Sequence, residues 1–588
     1  MTEMRAGDDA GAEPDLVPYP ASARERYRAE GLWQGRTLGG ELAAAAERFS
    51  ENIALITSEV RWSYADLDRR VTDFAAGLLA STSLRPGDPV MFSMGNVAET
   101  VVAYYGALRA GLVPVCTLPL HRGREIGLLA AHTGARGHFV QSDYRDYGLT
   151  DMALEVAAAS ADLAEIIVAR GAAPDGAHAM AEIMAAGAEP AARERLARVS
   201  ASLDDVAVFQ LSGGTTGLPK VAPRLHEEYA YNARRWAEKL GYGPGVKVLY
   251  PLPVMHNAGI LLGLQSSHLT GATVVLVGDA GVDAVLDAIA LHRPQILPLV
   301  PPAVAVRLLD SPRTVQEDLT CITDFVVGGQ KLPVEIAVRL EAELGIRPRQ
   351  MFGMAEGMFL LTPAGASDEL RLHTVGTPIS PLDEVRVYDV GTEREVPDGE
   401  LGELCTRGPY TIRGYYRAAR HNRNSFTADG FYRTGDLARR HRLGGSVCYS
   451  IDGRIKDVIN RGVEKIHAEE VEELILRHPG VVTAAVVAMP DPVLGERACA
   501  YAVVKPGTDL TVETLGVHLL SEGIARYKLP ERVEVVDSLP LTNVGKVSKK
   551  DLRADIAAKL TQERSQSCPD AALTSSAGAP PASTPPGS

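Results

Sequence analysis

The sequence predicts a layered α/β fold built in at least two domains, and three observations carry that reading. With 588 residues, the chain is far longer than one hydrophobic core normally serves. From about Leu38 to Val300, Ala-rich helical stretches alternate with short apolar strands, the pattern of parallel sheets with helices between the strands. After Asp452 a separate run of helix and strands begins.

Taken in order, residues 1–20 (MTEMRAGDDAGAEPDLVPYP) are acidic and lack an apolar stretch, so they read as a loose leader rather than a secretory signal. The alternation then runs through helix 64–80 (YADLDRRVTDFAAGLLA), strand 89–94 (PVMFSM), helix 98–111 (AETVVAYYGALRAG) and strand 113–118 (VPVCTL). Around Pro381–Gly408 the style changes to shorter strands and turns. The last α/β unit has a helix at 469–478 and strands at 483–490 and 498–504. The final residues are rich in Ser, Pro and Ala and are expected to be disordered. No internal repeat is present.

Composition narrows the function. Apolar residues make up 46% and charged residues 23%, as in ordinary globular proteins. No run reaches the ~18 apolar residues of a membrane span, which with the leader points to a cytoplasmic protein. The cysteines at 116, 321, 405, 448, 499 and 568 form no C-x-x-C pair, which argues for free thiols and against a zinc site. A formal net charge of -14 speaks against nucleic acid as a partner, so any phosphorylated substrate must be held by local features.

The strongest such feature is Ser212-Gly213-Gly214-Thr215-Thr216-Gly217-Leu218-Pro219-Lys220, which follows the apolar strand 206–211. Glycines let the backbone approach an anion, their N–H groups and the Thr hydroxyls can form a nest for it, and Lys220 adds a cation. Pro219 before the lysine and the wrong glycine spacing exclude a Walker A loop.

Ordered motifs continue through the chain: PRLHEEY after Lys220, MHN at 255–257, VVGGQKL at 326–332, QMFGMAEG at 350–357 and RGPYTIRGYY at 407–416. DGFYRTGD at 429–436, GRIKDVINRGVEKI at 453–466 and LTNVGKVSKKDLR at 541–553 complete the set. Together they resemble the adenylate-forming superfamily of acyl-CoA synthetases, adenylation domains and luciferases, over about residues 15–560. Within it the chain is most similar to stand-alone aryl-acid–AMP ligases of siderophore pathways, which activate 2,3-dihydroxybenzoate or salicylate. The resemblance implies a large N-terminal domain (21–453) of layered α/β subdomains plus a β-barrel-like subdomain. A small mobile C-terminal α/β domain (454–560) and a disordered tail (561–588) follow. It implies ATP and Mg²⁺ as cofactors, an aryl acid as substrate, and the phosphopantetheine of an aryl carrier protein as acceptor, with neither nucleic acid nor membrane as partner.

The resemblance also assigns residues. Glu356 corresponds to the family's magnesium ligand, and a hard cation suits carboxylate and phosphate oxygens. Phe352 matches the aromatic on which adenine stacks, with Met351, Gly353, Met354 and Ala355 around it and Gly329, Gln330 and Lys331 also at the nucleotide. Asp436 corresponds to the acceptor of the ribose hydroxyls, which a carboxylate suits because it offers acceptors to two vicinal donors. Arg454 is similar to a second ribose contact. Lys546 occupies the place of the catalytic lysine that draws two anions together. Lys549 and Lys550 nearby read as solvated. Lys456 resembles the hinge about which the small domain turns between half-reactions. The chain departs from relatives at Val463, where most have glycine beside the entry of the pantetheine arm.

For the acid pocket, His256 resembles a gating histidine and Asn257 the amide that hydrogen-bonds an ortho hydroxyl. Val327, Gly328 and Gly329 are expected to wall the ring. Relatives acting on dihydroxybenzoate carry an aromatic and a Pro after the Asn, and a Ser five residues on. Here Ala258, Gly259 and Leu262 stand instead. A buried 3-hydroxyl facing Leu262 loses about 1–3 kcal/mol, and Ala258 with Gly259 is expected to leave room for an added carbon. This favours salicylate or a substituted salicylate, with 2,3-dihydroxybenzoate and 3-hydroxypicolinate as alternatives. An aryl-CoA ligase using free CoA, and a non-catalytic adenylate-binding protein, are the rival functions.

Overall fold

A computed structural model of the chain describes residues 15–212, 219–461, 464–491, 494–522, 524–542 and 546–566. It divides into two compact units. The larger runs to Ile455 and also takes in Lys546; the smaller comprises Lys456–Thr542 and the residues from Val547 onward. The division therefore falls slightly later than the start expected at Arg454.

The larger unit holds three sheets. The first runs His178–Ala179, Glu165–Ala169, Gly137–Gln141, Pro89–Ser93, Val113–Val115, Val206–Ser212, Lys220–Leu225. The second runs Thr377–Pro378, Phe359–Leu361, Arg349–Gly353, Asp324–Gly328, Ile296–Val300, Lys247–Tyr250, Thr273–Leu276, Ile53–Ile56, Arg61–Ser63. Both are parallel through their centres and antiparallel at an edge. Strands such as Ile296–Val300 and Gly137–Gln141 are buried at every position. That explains why Ile296–Val300 reads as an unbroken apolar run instead of an alternating one, while Gly137–Gln141 buries His138 and Gln141 with hydrogen-bond partners.

Helix Tyr64–Ser81 starts where the sequence places it, because the Ser63 side chain and Asp66 cap each other's backbone N–H. The region of short strands forms a third, antiparallel sheet in the order Glu384–Tyr388, Leu401–Arg407, Tyr432–Leu443, Ser446–Arg454. It curls, so that the Tyr449 hydroxyl on its last strand donates to the Val385 carbonyl on its first at 3.1 Å.

Two expectations about the ends change. Residues 15–20 are not loose: Tyr19 is buried edge-on against Trp33 and donates its hydroxyl to the Thr411 carbonyl at 2.6 Å. The leader's acidic composition concealed one anchoring aromatic; residues 1–14 lie outside the described residues. At the other end, helix Lys549–Gln566 continues past the expected boundary at 560, and residues 567–588 lie outside the described residues.

In the smaller unit, strands Val481–Asp491 and Gly495–Val504 pair along their length. Alternate residues go to opposite faces, as the two-residue strand period demands. Val486, Ala500 and Ala502 pack under helices Ala468–Leu476 and Val512–Ser521, while Ala485, Val487 and Tyr501 pack against Leu552 and Ile556 of the last helix. Both faces are covered, so 484–489 and 498–504 read as unbroken apolar runs. Lys549 is not solvated, contrary to expectation. Its ammonium pairs with Glu472 at 2.8 Å and Glu469 at 3.2 Å, and its side chain is only 16% exposed. Three residues beyond Lys546, it ties the start of the last helix to the helix Ala468–Leu476. Lys550 is exposed.

Candidate active site

The glycine-rich motif is flanked by two paired strands. Strands Val206–Ser212 and Lys220–Leu225 run antiparallel, with Ser212 directly across from Lys220. Gly213, Gly214, Thr215, Thr216 and Gly217 lie outside the described residues. The Lys220 ammonium sits 5.0 Å from the centre of the Tyr415 ring, a cation–π contact. Burial lowers the pKa of Lys220, the nearby Glu356 opposes that, and Arg454 adds to it.

The Tyr415 hydroxyl in turn donates to the buried Glu356 carboxylate and lies 2.8 Å from the Tyr432 hydroxyl. Glu356 is carried on a tight loop after strand Arg349–Gly353. Gly357 has φ +89°, and a methyl there would lie 1.8 Å from the Tyr410 carbonyl oxygen. Met358 is held at φ +129°, a conformation side chains rarely adopt and one that needs surrounding structure to enforce it. Part of that structure is Arg224. Fully buried, it pairs with Glu228 at 2.7 Å and donates to the carbonyls of Ala355 (2.8 Å) and Tyr410 (3.0 Å).

Asp436 and Arg454 are cross-strand neighbours in the curled sheet and form an ion pair at 2.9 Å. Burial raises the pKa of Asp436, while Arg454 first, and then the Thr434 hydroxyl and Lys546, pull it back. Lys546 is buried enough that its pKa is lowered, with Arg454 adding to the effect and Asp436 opposing it. Its side chain lies beside Gly329, where a methyl would come within 3.1 Å of Cε. The structure thus gathers Lys220, Glu356, Asp436, Arg454 and Lys546 around one electrostatic site. Gln330 and Lys331 are exposed beyond Gly329, and Phe352 and Met354 are half-buried against the curled sheet.

Asn257 begins a helical stretch that runs to His268, of which Gly259–Gln265 has π geometry. Burial drives the His256 imidazole down to a pKa of about 4, and the charge of Lys546 pushes in the same direction. The ring is therefore neutral near pH 7. The Ala258 N–H faces its Nδ1 at 3.4 Å, which leaves Nε2 as the protonated nitrogen. Asn257 is buried, and its Oδ1 accepts from the Tyr229 hydroxyl at 2.8 Å. Leu262 is fully buried and lies one i→i+5 turn beyond Asn257.

Gly259 corrects one expectation. A methyl there would lie 2.3 Å from the Val254 carbonyl oxygen, so its missing side chain makes room for backbone, not for substrate. Gly328 is likewise filled against, with Met351 2.5 Å from where its methyl would stand; Val327 beside it is buried.

Sequence reasoning assigned no role to Tyr415, Tyr432, Arg224, Glu228 or Tyr229. Tyr415 lies within RGPYTIRGYY and Arg224 within PRLHEEY, so the motifs contained them. Their partners, far away in sequence, were the missing information.

Two sheets with parallel centres, a curled antiparallel sheet and a small α/β unit, carrying the ordered motifs, are those of an adenylate-forming ligase. The chain belongs to the AMP-binding enzyme family: residues 42–416 match the AMP-binding enzyme domain and 470–546 its C-terminal domain. It is 42% identical to a Streptomyces protein named salicylyl-CoA synthase / salicylate adenylyltransferase, over 92% of this chain and 98% of that one. It is 39% identical to the 2,3-dihydroxybenzoate-AMP ligase of Bacillus subtilis, over 93% of this chain and 98% of the relative. The apo structure of Mycobacterium smegmatis MbtA superposes with a TM-score of 0.69 at 37% identity, covering 92% of this chain and 98% of that one. Among the described residues no helix is long and apolar enough to cross a membrane.

Proposed function

We propose that the protein uses ATP and Mg²⁺ to activate a 2-hydroxyaryl carboxylic acid, salicylate or a substituted salicylate, as its acyl-AMP. It then transfers the aryl group to the phosphopantetheine thiol of an aryl carrier protein in nonribosomal peptide synthesis of the siderophore type. The observation that carries the adenylation is the joining of two half-buried lysines, Lys220 and Lys546, with the buried carboxylates Glu356 and Asp436 in one site.

In this reading the acid's carboxylate oxygen attacks the α-phosphorus of ATP, and the bond to pyrophosphate breaks. Two anions must meet, and Lys546 is the cation that holds both. A fixed positive charge in a water-poor site lowers that barrier more than the same charge in water. Lys220, held over Tyr415, meets the departing phosphates together with the segment 212–217. Asp436 accepts from the ribose hydroxyls, and its pairing with Arg454 opposes the rise in pKa that burial causes. Glu356 fits a magnesium ligand: one buried carboxylate oriented by Tyr415 is the usual protein share for Mg²⁺, whose other oxygens come from phosphates and water. When bound, the ion neutralises charge building on pyrophosphate. His256, neutral, borders the acid without adding a competing charge. Lys456, where the chain passes from the larger unit to the smaller, is the hinge residue for the second half-reaction.

The substrate class rests on Asn257, a buried amide that an unsubstituted benzoate would leave short of a partner. Leu262 offers nothing to a 3-hydroxyl, which argues against 2,3-dihydroxybenzoate and 3-hydroxypicolinate ranks behind salicylate as a heteroaryl fit. Room for an added methyl now rests on Ala258 alone. Acid-dependent pyrophosphate exchange over substituted benzoates tests this: salicylate should exceed benzoate in kcat/KM by roughly ten- to a hundredfold. If 2,3-dihydroxybenzoate is the best acid, the reading of Leu262 is wrong. The name of the Streptomyces relative supports free CoA as a second acceptor reading. Offering CoA and a holo carrier protein to the preformed acyl-AMP decides between them.

A further inference from the structure

Asn257 does not stand alone in the core. Strand Val206–Ser212 presents Gln210, whose Nε2 donates to the Tyr229 hydroxyl at 3.0 Å, and that hydroxyl donates its single proton to Asn257 Oδ1 at 2.8 Å. Gln210, Tyr229 and Asn257 are all buried, at 1%, 0% and 5% exposure. Tyr229 is clamped by the Arg224 guanidinium 4.3 Å over its ring, and Arg224 is itself locked to Glu228. Its hydroxyl therefore has little freedom to turn elsewhere. A buried amide makes one oxygen acceptor and one NH₂ donor available. With the oxygen turned to the Tyr229 hydroxyl, the amide is fixed in one orientation and the NH₂ is the end it turns to a ligand.

We infer that Gln210 and Tyr229 are positioning residues that fix the Asn257 amide with its NH₂ toward the acid, so that the site selects a hydrogen-bond acceptor ortho to the carboxylate. The inference rests on the proposed role of Asn257 in acid binding and goes beyond it by giving the contact a direction. Salicylate satisfies it. The phenolic proton is taken up by the acid's own carboxylate, which leaves the phenolic oxygen's lone pairs for Asn257. The 2-amino analogue, anthranilate, has the same size but turns an N–H outward, and its nitrogen lone pair is drawn into the ring. It opposes donor to donor, and a buried polar group without its partner is penalised more than a missing contact.

The test compares salicylate, anthranilate and benzoate by acid-dependent pyrophosphate exchange in the wild type, Tyr229→Phe and Asn257→Asp. In the wild type, salicylate should exceed anthranilate by at least about tenfold in kcat/KM. Tyr229→Phe removes the fixing proton, so that ratio should shrink toward unity while the KM for ATP stays within about twofold. Asn257→Asp can only accept, so the ratio should invert in favour of anthranilate even though both acids bind more weakly. Because the readout is a ratio between acids of equal size, partial unfolding does not move it, and general loosening can only bring it to unity, so the inversion in Asn257→Asp is the outcome specific to the relay. An anthranilate preference in the wild type, or an unchanged ratio in both variants, overturns the relay. A wild type that does not distinguish salicylate from benzoate instead removes the underlying reading of Asn257, and the relay with it.

Discussion

Replacing Gly357 by Ala should disable adenylation while leaving every charged group of the site in the chain. Gly357 adopts φ +89°, and a β-carbon there would lie 1.8 Å from the Tyr410 carbonyl oxygen and 2.8 Å from its carbon. The left-handed conformation alone costs an L residue about 1–2 kcal/mol. The clash demands more, because the two backbones must separate by about 1 Å in an interior packed like a crystal. Tyr410 is poorly placed to retreat, since its carbonyl accepts from buried Arg224 at 3.0 Å. The displacement then falls on the adjoining Glu356, whose carbonyl accepts from the Ile412 N–H at 2.8 Å. Misplacing a catalytic group by about 1 Å costs on the order of 10²-fold. Pyrophosphate exchange should fall by that factor, and denaturant unfolding should show a loss of about 2–4 kcal/mol. Gly365→Ala is the matched control: φ is +70° but no atom lies within 4 Å, so only backbone strain is added. If Gly357→Ala exchanges within about threefold of wild type, the close approach to Tyr410 is not what positions Glu356.

Three further outcomes are expected. Lys546→Ala should lower acid-dependent exchange on the order of 10²–10³-fold with the fold intact, and a variant within about threefold of wild type would remove Lys546 from the reaction. Lys456→Glu should slow single-turnover thioester formation more than acyl-AMP formation, and equal losses in both steps would refute a separate hinge role. Burial holds His138 at a pKa of about 3 and His226, His256 and His268 at about 4, against the ordinary 6.5. Each is neutral in both states above pH 6.5. As pH falls from there toward 4, the unfolded chain takes up protons that the folded one refuses, so stability drops across that window. Denaturant titrations at pH 7 and 5 should show this loss, and His268→Gln should reduce it; an unchanged loss would exclude His268 as a contributor.

The sequence by itself determined whatever depends on near neighbours or on ordered motifs. Alternating helix and strand periods announced the parallel sheets and placed a helix start at Tyr64. The apolar strand before Ser212 was legible, whereas the pairing that sets Ser212 across from Lys220 was not. The motifs made the enzyme class legible without any coordinates.

Other features were decided only by tertiary structure, because they are pairings between residues remote in the chain. Tyr415 reaches Glu356, Arg224 holds the carbonyls of Ala355 and Tyr410, and Gln210 and Tyr229 set the amide of Asn257. Gly259 shows the limit most plainly. A missing side chain reads in sequence equally as space for a ligand or as contact with backbone, and here the Val254 carbonyl occupies the space. Lys549 likewise read as a solvated charge until the fold supplied two half-buried carboxylates for it. Residue type limits what a side chain can bond to, but burial and the partner at the end of the bond are properties of the packed chain.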